Sequence, residues 1–470
     1  MHRTVVLDVV GLSAGLIGAD TPCLATLVRD SGRRVLRPVL PAVTSPVQAT
    51  FTTGLLPREH GCVGNGWYFR ELSEVSFWRQ SNPLVAGERI WDAARKEANE
   101  FTCAKLFWWF NMYSSADFSV TPRPIYRADG LKIPDIYTHP AELGAELTAR
   151  LGRFPLFDFW GPSAGLRSSQ WIAQCARYVY ERCRPTLTLL YLPHLDYDLQ
   201  RYGPSDPRSR GALREIDAVC GELVEHFRRD GTRVVILSEY GIAPVRGAVH
   251  INRVLRAEEL LVVRSEQGLE KLDPGASDAF AVADHQIAHV YVRRREQVPE
   301  VKRLLESVPG IESVLDDEGK RASGLDHPRS GELVALAAPD RWFTYYYWMD
   351  DAVAPEFART VDIHRKPGYD PVELFLDPSL RFPRVKVAWK LLRKALGFRY
   401  LMDVIPLDAN LVKGSHGRLP DRAEDCPVVI STEPALLPPG EMKATEIKEL
   451  ILAHLFDVRS RARTVERRAS

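Results

Sequence analysis

Short, unbroken apolar runs alternate with stretches of helical spacing along the first half of the chain. "TVVLDVV" (Thr4 to Val10) is β-branched and continuous, as in a strand covered on both faces. "DTPCLATLVRDSG" predicts a helix with Asp20 as its cap, Pro22 in its first turn and Gly32 at its end. "RRVLRPVL" reads as a strand, "GERIWDAARKEAN" as a helix and "FTCAKLFWWF" as a strand. "LTLLYLPHLD" (Leu187 to Asp196) and "TRVVILSEYG" (Thr232 to Gly241) are apolar runs ending in polar groups, and the strongly helical "RGALREIDAVCGELVEHFRRDG" lies between them. This alternation predicts an α/β fold, a mostly parallel central sheet flanked by helices.

Beyond Ile242 the pattern changes. "HQIAHVYVRRREQVPEVKRLLESVPGIESVLD" reads strand, helix, strand, and "GELVALAAPDRWFTYYYW" reads as further strand. Residues 242–407 are therefore expected to carry a smaller α+β cap insertion, with 1–241 and 408–470 forming the core. The chain returns through the polar "KGSHGRLPDRAEDCPVVIS" and closes with the helix "ATEIKELILAHLF".

Composition narrows the function classes. The chain has 470 residues, is 45% hydrophobic and carries a formal net charge of +1. Such balance speaks against a bulk binder of nucleic-acid polymers or membrane surfaces, and leaves room for a local basic pocket. The basic "DVRSRARTVERRAS" at the end reads as a solvated tail. Seven scattered cysteines with no CxxC pair read as reduced thiols. No apolar run reaches the ~18 residues a membrane span needs, and the N-terminus enters a strand without a secretory pattern, so the expected compartment is the cytoplasm. Oligomeric state is not legible in the pattern.

The polar ends of the apolar runs carry the chemistry. Asp8, then Asp196 with Asp198, then Glu239 sit at or just after them, where ligands collect in an open α/β sheet. Carboxylates that converge there repel one another unless a cation sits among them. "VTSPVQATFTTGLLPREHGCVGN" (Val43 to Asn65) adds Thr44, either a helix cap or a nucleophile, and "GSHG" adds His416.

On these motifs the sequence resembles the alkaline phosphatase superfamily, and within it the nucleotide pyrophosphatase/phosphodiesterase and phosphonoacetate hydrolase branches. "VVLDVVGL", "TSPVQATFTTGLLPREHGCVGN" and "GSHG" follow the family pattern closely, in the family's order. The resemblance implies a hydrolase of phosphate esters with a Thr nucleophile and two divalent ions roughly 4 Å apart clamping the phosphoryl group. It implies one ion held by Asp8, Thr44, Glu239 and Tyr240, and the other by Asp196, Gln200 and His416. Asn65, with the N–H of Thr44 or its neighbour, would hold the phosphoryl oxygens.

Three positions depart from that pattern. Gln200 and Tyr240 stand where the family has His, and Glu239 where it has Asp. A neutral amide and a phenol of pKa about 10 are poor zinc ligands. Among Zn, Mn and Mg, the harder set shifts the preference toward Mg or Mn, with Ca a further candidate. Replacement ligands are sought in "VDIHRKPGYDPVELF" (Asp362, His364, Asp370), with His364 first, and in Asp284, His285, His289, His250 and Arg253. Lys366 and Arg201 are candidates for a second phosphate, His194 and Tyr197 for orienting Asp196, and the aromatics of "LFWWFNMY" and "GNGWYF" for stacking on a leaving group or for core packing. The expected activity is that of a phosphodiesterase or nucleotide pyrophosphatase on a small organic phosphate. A phosphomonoesterase, phosphonate hydrolase or phosphomutase, or a non-catalytic binding relative, remain alternatives.

Overall fold

The computed structural model describes residues 1–128, 131–361, 366–398 and 400–457. The first half of the chain lays down strands β1 (Thr4–Val9), β2 (Gly32–Arg37), β3 (Cys103–Leu106), β4 (Phe118–Pro122), β5 (Ile136–His139), β6 (Leu187–Leu192) and β7 (Arg233–Leu237). A separate antiparallel sheet follows, made of β8 (Ala279–Asp284), β9 (Ile287–Val292), β10 (Ile311–Leu315) and β11 (Leu333–Ala337) in the order β8-β9-β11-β10. The chain then returns as β12 (Val428–Ser431) and β13 (Met442–Lys443) to complete a nine-stranded central sheet, β13-β2-β12-β7-β1-β6-β3-β4-β5. Only β12 and β5 run against the others. This is the mixed, mostly parallel α/β architecture that the alternating pattern predicts.

The helices used below are α1 (Pro22–Asp30), α2 (Thr44–Thr53), α3 (Leu166–Cys183), α4 (His194–Tyr202), α5 (Ser209–Arg228), α6 (Val298–Glu306), α7 (Pro383–Ala395) and α8 (Ile447–Phe456). α5 shows why the periodicity was readable: Ala212, Leu213, Ile216, Cys220, Leu223 and Phe227 are buried at helical spacing. α2 shows the opposite, because all ten of its residues are buried and it has no polar face to mark it.

The start of α1 corrects the expected cap. Thr21, not Asp20, precedes the helix, and neither side chain caps it. The Cys23 and Leu24 amides donate instead to the Asp217 carboxylate of α5, at 2.9 and 2.8 Å, so the free N–H groups are satisfied from another helix. Asp20 pairs with Arg214 at 2.6 Å, and Gly32 opens β2 rather than ending α1.

The second sheet has its own hydrophobic core, closed by the buried run Tyr345, Tyr346, Tyr347 and Trp348. That run was expected to be strand. Only Arg341–Phe343 pairs there, with Gly247–Val249, while the aromatics pack without a ladder. Among the described residues no helix is long and apolar enough to cross a membrane. The tail 458–470 lies outside the described residues.

Candidate active site

β1 sits between β6 and β7, and Asp8 lies next to its last residue, in register with Tyr191 and Leu237. Glu239 follows β7 by two residues, and Asp196 occupies the first turn of α4. Thr44 is the first residue of α2. All four are buried. His416 reaches the same place on a loop that only glycines allow. A Cβ on Gly414 would lie 2.1 Å from the Leu199 carbonyl oxygen of α4, and Gly417 has φ +122°.

The expected cap role for Thr44 is not observed, since Val43 occupies the cap position and Thr44 is the first helical residue. Its Oγ1 lies 3.3 Å from the Tyr240 hydroxyl, which donates to Asp196 Oδ1, also at 3.3 Å. Gln200 Nε2 donates to Asp196 Oδ2 at 2.6 Å. Both Asp196 oxygens are thus taken up by neutral donors. Tyr240 and Gln200, expected as metal ligands, here act toward Asp196 as hydrogen-bond donors. Burial holds the Tyr240 phenol well above its ordinary pKa, so it stays protonated.

Gln48 makes the corresponding contact on the other side. Its Nε2 donates to Glu239 Oε1 at 2.6 Å and to Asp8 Oδ2 at 3.3 Å, while its Oε1 accepts the Trp109 amide at 2.8 Å, which fixes the amide's orientation. Asp8 Oδ1 and Glu239 Oε2 remain buried without a hydrogen-bond partner. Burial pushes Glu239 and Asp196 up to about 7, and burial with the Glu239 charge raises Asp8 well above the carboxylate range. Two carboxylates bridged by one amide, each with an unpartnered oxygen, fit a hard, oxygen-preferring divalent cation. The Asp196 side fits zinc poorly: its carboxylate is engaged, Gln200 is neutral, and His416 is the one imidazole of the Asp196, Gln200 and His416 set. Among the described residues no three His, Cys, Asp or Glu side chains cluster as a metal-binding group.

His416 donates Nδ1–H to the Ala42 carbonyl at 2.9 Å, and burial lowers its pKa to about 3, so the ring is neutral with Nε2 as its acceptor. The ring stacks on Tyr240, centroids 3.6 Å apart and planes within 5°, and props the phenol between Thr44 and Asp196.

Asn65 is held by the second sheet. Its side-chain oxygen accepts the Ser45 amide of α2 at 2.9 Å, and its Nδ2 donates to Asp284 Oδ1 and the Tyr369 hydroxyl at 3.1 and 3.2 Å. Asp284 also accepts the Asn65 backbone N–H at 2.8 Å and the Tyr369 hydroxyl at 3.1 Å. His285 Nε2 lies 2.9 Å from the same hydroxyl, and its Nδ1 is buried and unpartnered. Replacing Asp284 with Ala leaves the Asn65 amide and the Tyr369 hydroxyl without their acceptor. The expected result is a loss of roughly 2–4 kcal/mol of unfolding free energy, read by urea denaturation, with Asp284→Asn losing less.

Several expected site residues are engaged elsewhere. Arg201 pairs with Asp198 at 2.9 Å and donates to the Leu374 and Gly161 carbonyls. Lys366 is buried against Glu373 at 2.6 Å. These bonds tie down the 371–374 turn, so neither side chain serves as the expected phosphate contact. His194 turns to Glu215, and Tyr197 donates to the Phe159 carbonyl, so neither orients Asp196. His289 spans Val63 and Gly331, His250 meets Thr344, and Arg253 donates to the Trp348 carbonyl. Asp370 caps the 371–374 turn. His364 and Asp362 lie outside the described residues.

Thr44, Asn65, Asp196, Gln200, His285 and His416 line one cleft. Its walls are aromatic: Trp78 packs on Trp109 at 4.6 Å and on Tyr369 at 5.1 Å, and Trp160 packs on Tyr369 at 5.9 Å. Of the aromatics noted in the sequence, Trp109 faces the cleft, whereas Trp108 belongs to the core and Trp67 stacks on Phe69. Gln48 and Tyr369 were not singled out in the sequence. Gln48 lies four residues after Thr44, one helical turn on, which is the signal that placed it within reach of the same carboxylates.

Comparison with known proteins adds three findings. The family described as type I phosphodiesterase / nucleotide pyrophosphatase matches residues 4–370. An uncharacterized pyrophosphatase/phosphodiesterase of Schizosaccharomyces pombe is 26% identical over 240 residues, covering 48% of this chain and 41% of its own length. Human ectonucleotide pyrophosphatase/phosphodiesterase family member 7 is 23% identical over 241 residues, covering 48% of this chain and 44% of its own length. The chain thus spans less than half the length of these curated relatives. Among solved structures, phosphonoacetate hydrolase from Sinorhizobium meliloti 1021, in complex with phosphonoformate, superposes with a TM-score of 0.61 at 14% identity, over 96% of each chain. Murine ectonucleotide pyrophosphatase/phosphodiesterase 5 gives 0.59 at 14% identity, over 97% of this chain and 95% of that one. At that identity the superpositions show a shared fold.

Proposed function

The chain belongs to the type I phosphodiesterase / nucleotide pyrophosphatase family, and on that premise we propose that it hydrolyses a phosphoester bond of a small organic phosphate with Thr44 as the nucleophile. The observation that carries this reading is the chain of contacts Thr44–Tyr240–Asp196 at the N-terminus of α2. Thr44 Oγ1 attacks phosphorus as the ester P–O bond breaks. Its proton passes to the Tyr240 oxygen as the Tyr240 proton passes to Asp196, whose carboxyl, pushed up to about 7 by burial, suits a base working near neutrality. The alcohol leaves as its alkoxide and takes up the proton of the water that then cleaves the phosphothreonine, while the proton on Asp196 returns through Tyr240 to Thr44 Oγ1. The Ser45 amide, now held by Asn65, is the helix N-terminal donor that an anionic phosphoryl oxygen takes over.

Asp8, Glu239 and the Thr44 oxygen would hold one divalent ion, which supplies Lewis acidity at the attacking oxygen. Mg or Mn suits this donor set better than Zn. The 242–407 segment shapes specificity, since Asp284, His285 and Tyr369 stand against Asn65. The described cleft lining holds aromatic rings and no Lys or Arg, which favours an ester with an apolar or aromatic leaving group over a polyphosphate.

A second reading, a binding relative without turnover, draws on the neutral donors that already satisfy Asp196. One screen separates the two, using bis-p-nitrophenyl phosphate, p-nitrophenyl phosphate, a dinucleotide and phosphonoacetate. Diester turnover that falls about 10²–10³-fold in kcat in Tyr240→Phe, with KM little changed, is the expected outcome. An unchanged Tyr240→Phe rate rejects the relay, and no turnover of any substrate supports the second reading.

A further inference from the structure

α7 (Pro383–Ala395) lies after the family-matched region, and nothing in the hydrolytic site uses it. Its outward stripe is apolar. Phe382, Val385, Trp389, Leu392 and Leu396 recur at helical spacing and are 64, 65, 59, 48 and 64% exposed. Phe398 and Leu401 extend the exposed apolar surface beyond the helix. The other side is anchored to the protein: Val387 packs against the small core around Val404 and Ile405, and Lys386 and Lys390 both pair with Asp403. These contacts fix the helix with its apolar stripe facing outward.

The charge around the stripe is mostly positive, with Asp403 paired to Lys386 and Lys390. From Arg381 to Met402 the sequence carries seven Lys or Arg and no Asp or Glu. A helix with Trp, Leu and Phe on one face and cations along its flanks is the pattern of a segment that lies in the headgroup layer of a membrane. We propose that α7 and its flanks dock this protein on the surface of an anionic phospholipid bilayer. The apolar stripe enters the acyl boundary and the flanking cations meet lipid phosphates. A second copy of the chain is a poor occupant, because it would bring two equally basic segments face to face. The balanced net charge of the whole chain conceals this local segregation.

Cosedimentation of the full chain with vesicles tests the proposal. Phosphatidylcholine vesicles are compared with 7:3 phosphatidylcholine:phosphatidylserine vesicles at low and high salt. The expected partition coefficient is at least tenfold higher on the anionic vesicles and falls at high salt. Trp389→Glu/Leu392→Glu is expected to lower it at least tenfold, as is Arg381→Glu/Arg384→Glu. All four positions are at the surface or carry long polar chains, and unchanged thermal unfolding confirms that the variants fold. Equal binding to both vesicle types, or none to either, overturns the proposal. So does a self-association in sedimentation velocity that Trp389→Glu abolishes.

Discussion

Thr44→Ala is expected to lower kcat by about 10⁴-fold or more on the best diester while leaving the protein folded. The two halves of that statement rest on different contacts. The variant removes the atom proposed to attack phosphorus. Structurally the cost is small. Ala is the best helix former, the position is the first of α2, and Tyr240 keeps its bond to Asp196. Unfolding free energy should fall by no more than roughly 1 kcal/mol. Thr44→Ser, which keeps the hydroxyl, should retain most of the rate. Full activity in Thr44→Ala would sink the nucleophile assignment, and a collapsed melting curve would mean that the loss of rate says nothing about chemistry.

Removal of divalent ions should have an effect of similar size, about 10³-fold or more in rate. Asp8 and Glu239 are buried side by side and each keeps an oxygen without a partner. Without a cation they must share a proton or repel, and the Gln48 amide meets only one oxygen of each. Chelation followed by single-ion add-back should restore turnover with Mg or Mn before Zn. The same ion should raise the melting temperature, since an ion at a hundred times its Kd stabilises by about 2.7 kcal/mol. Elemental analysis should return one ion per chain. Two tightly held zinc ions in unsupplemented protein would overturn both the count and the preference.

The sheet and the motif residues were legible because their signals are local. Asp8, Thr44, Glu239 and His416 each sit at the end of a readable run or in a glycine-marked loop, and the fold brings them together. Two things were not legible. The first is what satisfies a polar group across the fold: Asp217 serving the start of α1, Asn65 serving the Ser45 amide, and Gln48 serving two carboxylates are contacts between distant elements. Periodicity carries no record of them. The second is the competition for charge. Lys366 and Arg201 read as free cations in the sequence, but burial makes each need a partner, and Glu373 and Asp198 supply it. Asp284 and His285 were visible as candidates, and only the hairpin between β8 and β9 shows that they reach Asn65 and Tyr369.

The return of the chain through Gly414 to β12 has a consequence for synthesis. Thr44 and the carboxylates of Asp8, Asp196 and Glu239 are encoded before residue 240, yet the ring that props Tyr240 belongs to His416. β12 then slots between β2 and β7, so the central sheet stays divided until Ser431 has emerged. A nascent chain on the ribosome therefore carries Thr44 and these carboxylates before it carries the strand and the ring that hold them in place. Any truncation that spares the first four hundred residues but removes the return segment should yield an inert protein, a safeguard written into the order of the strands.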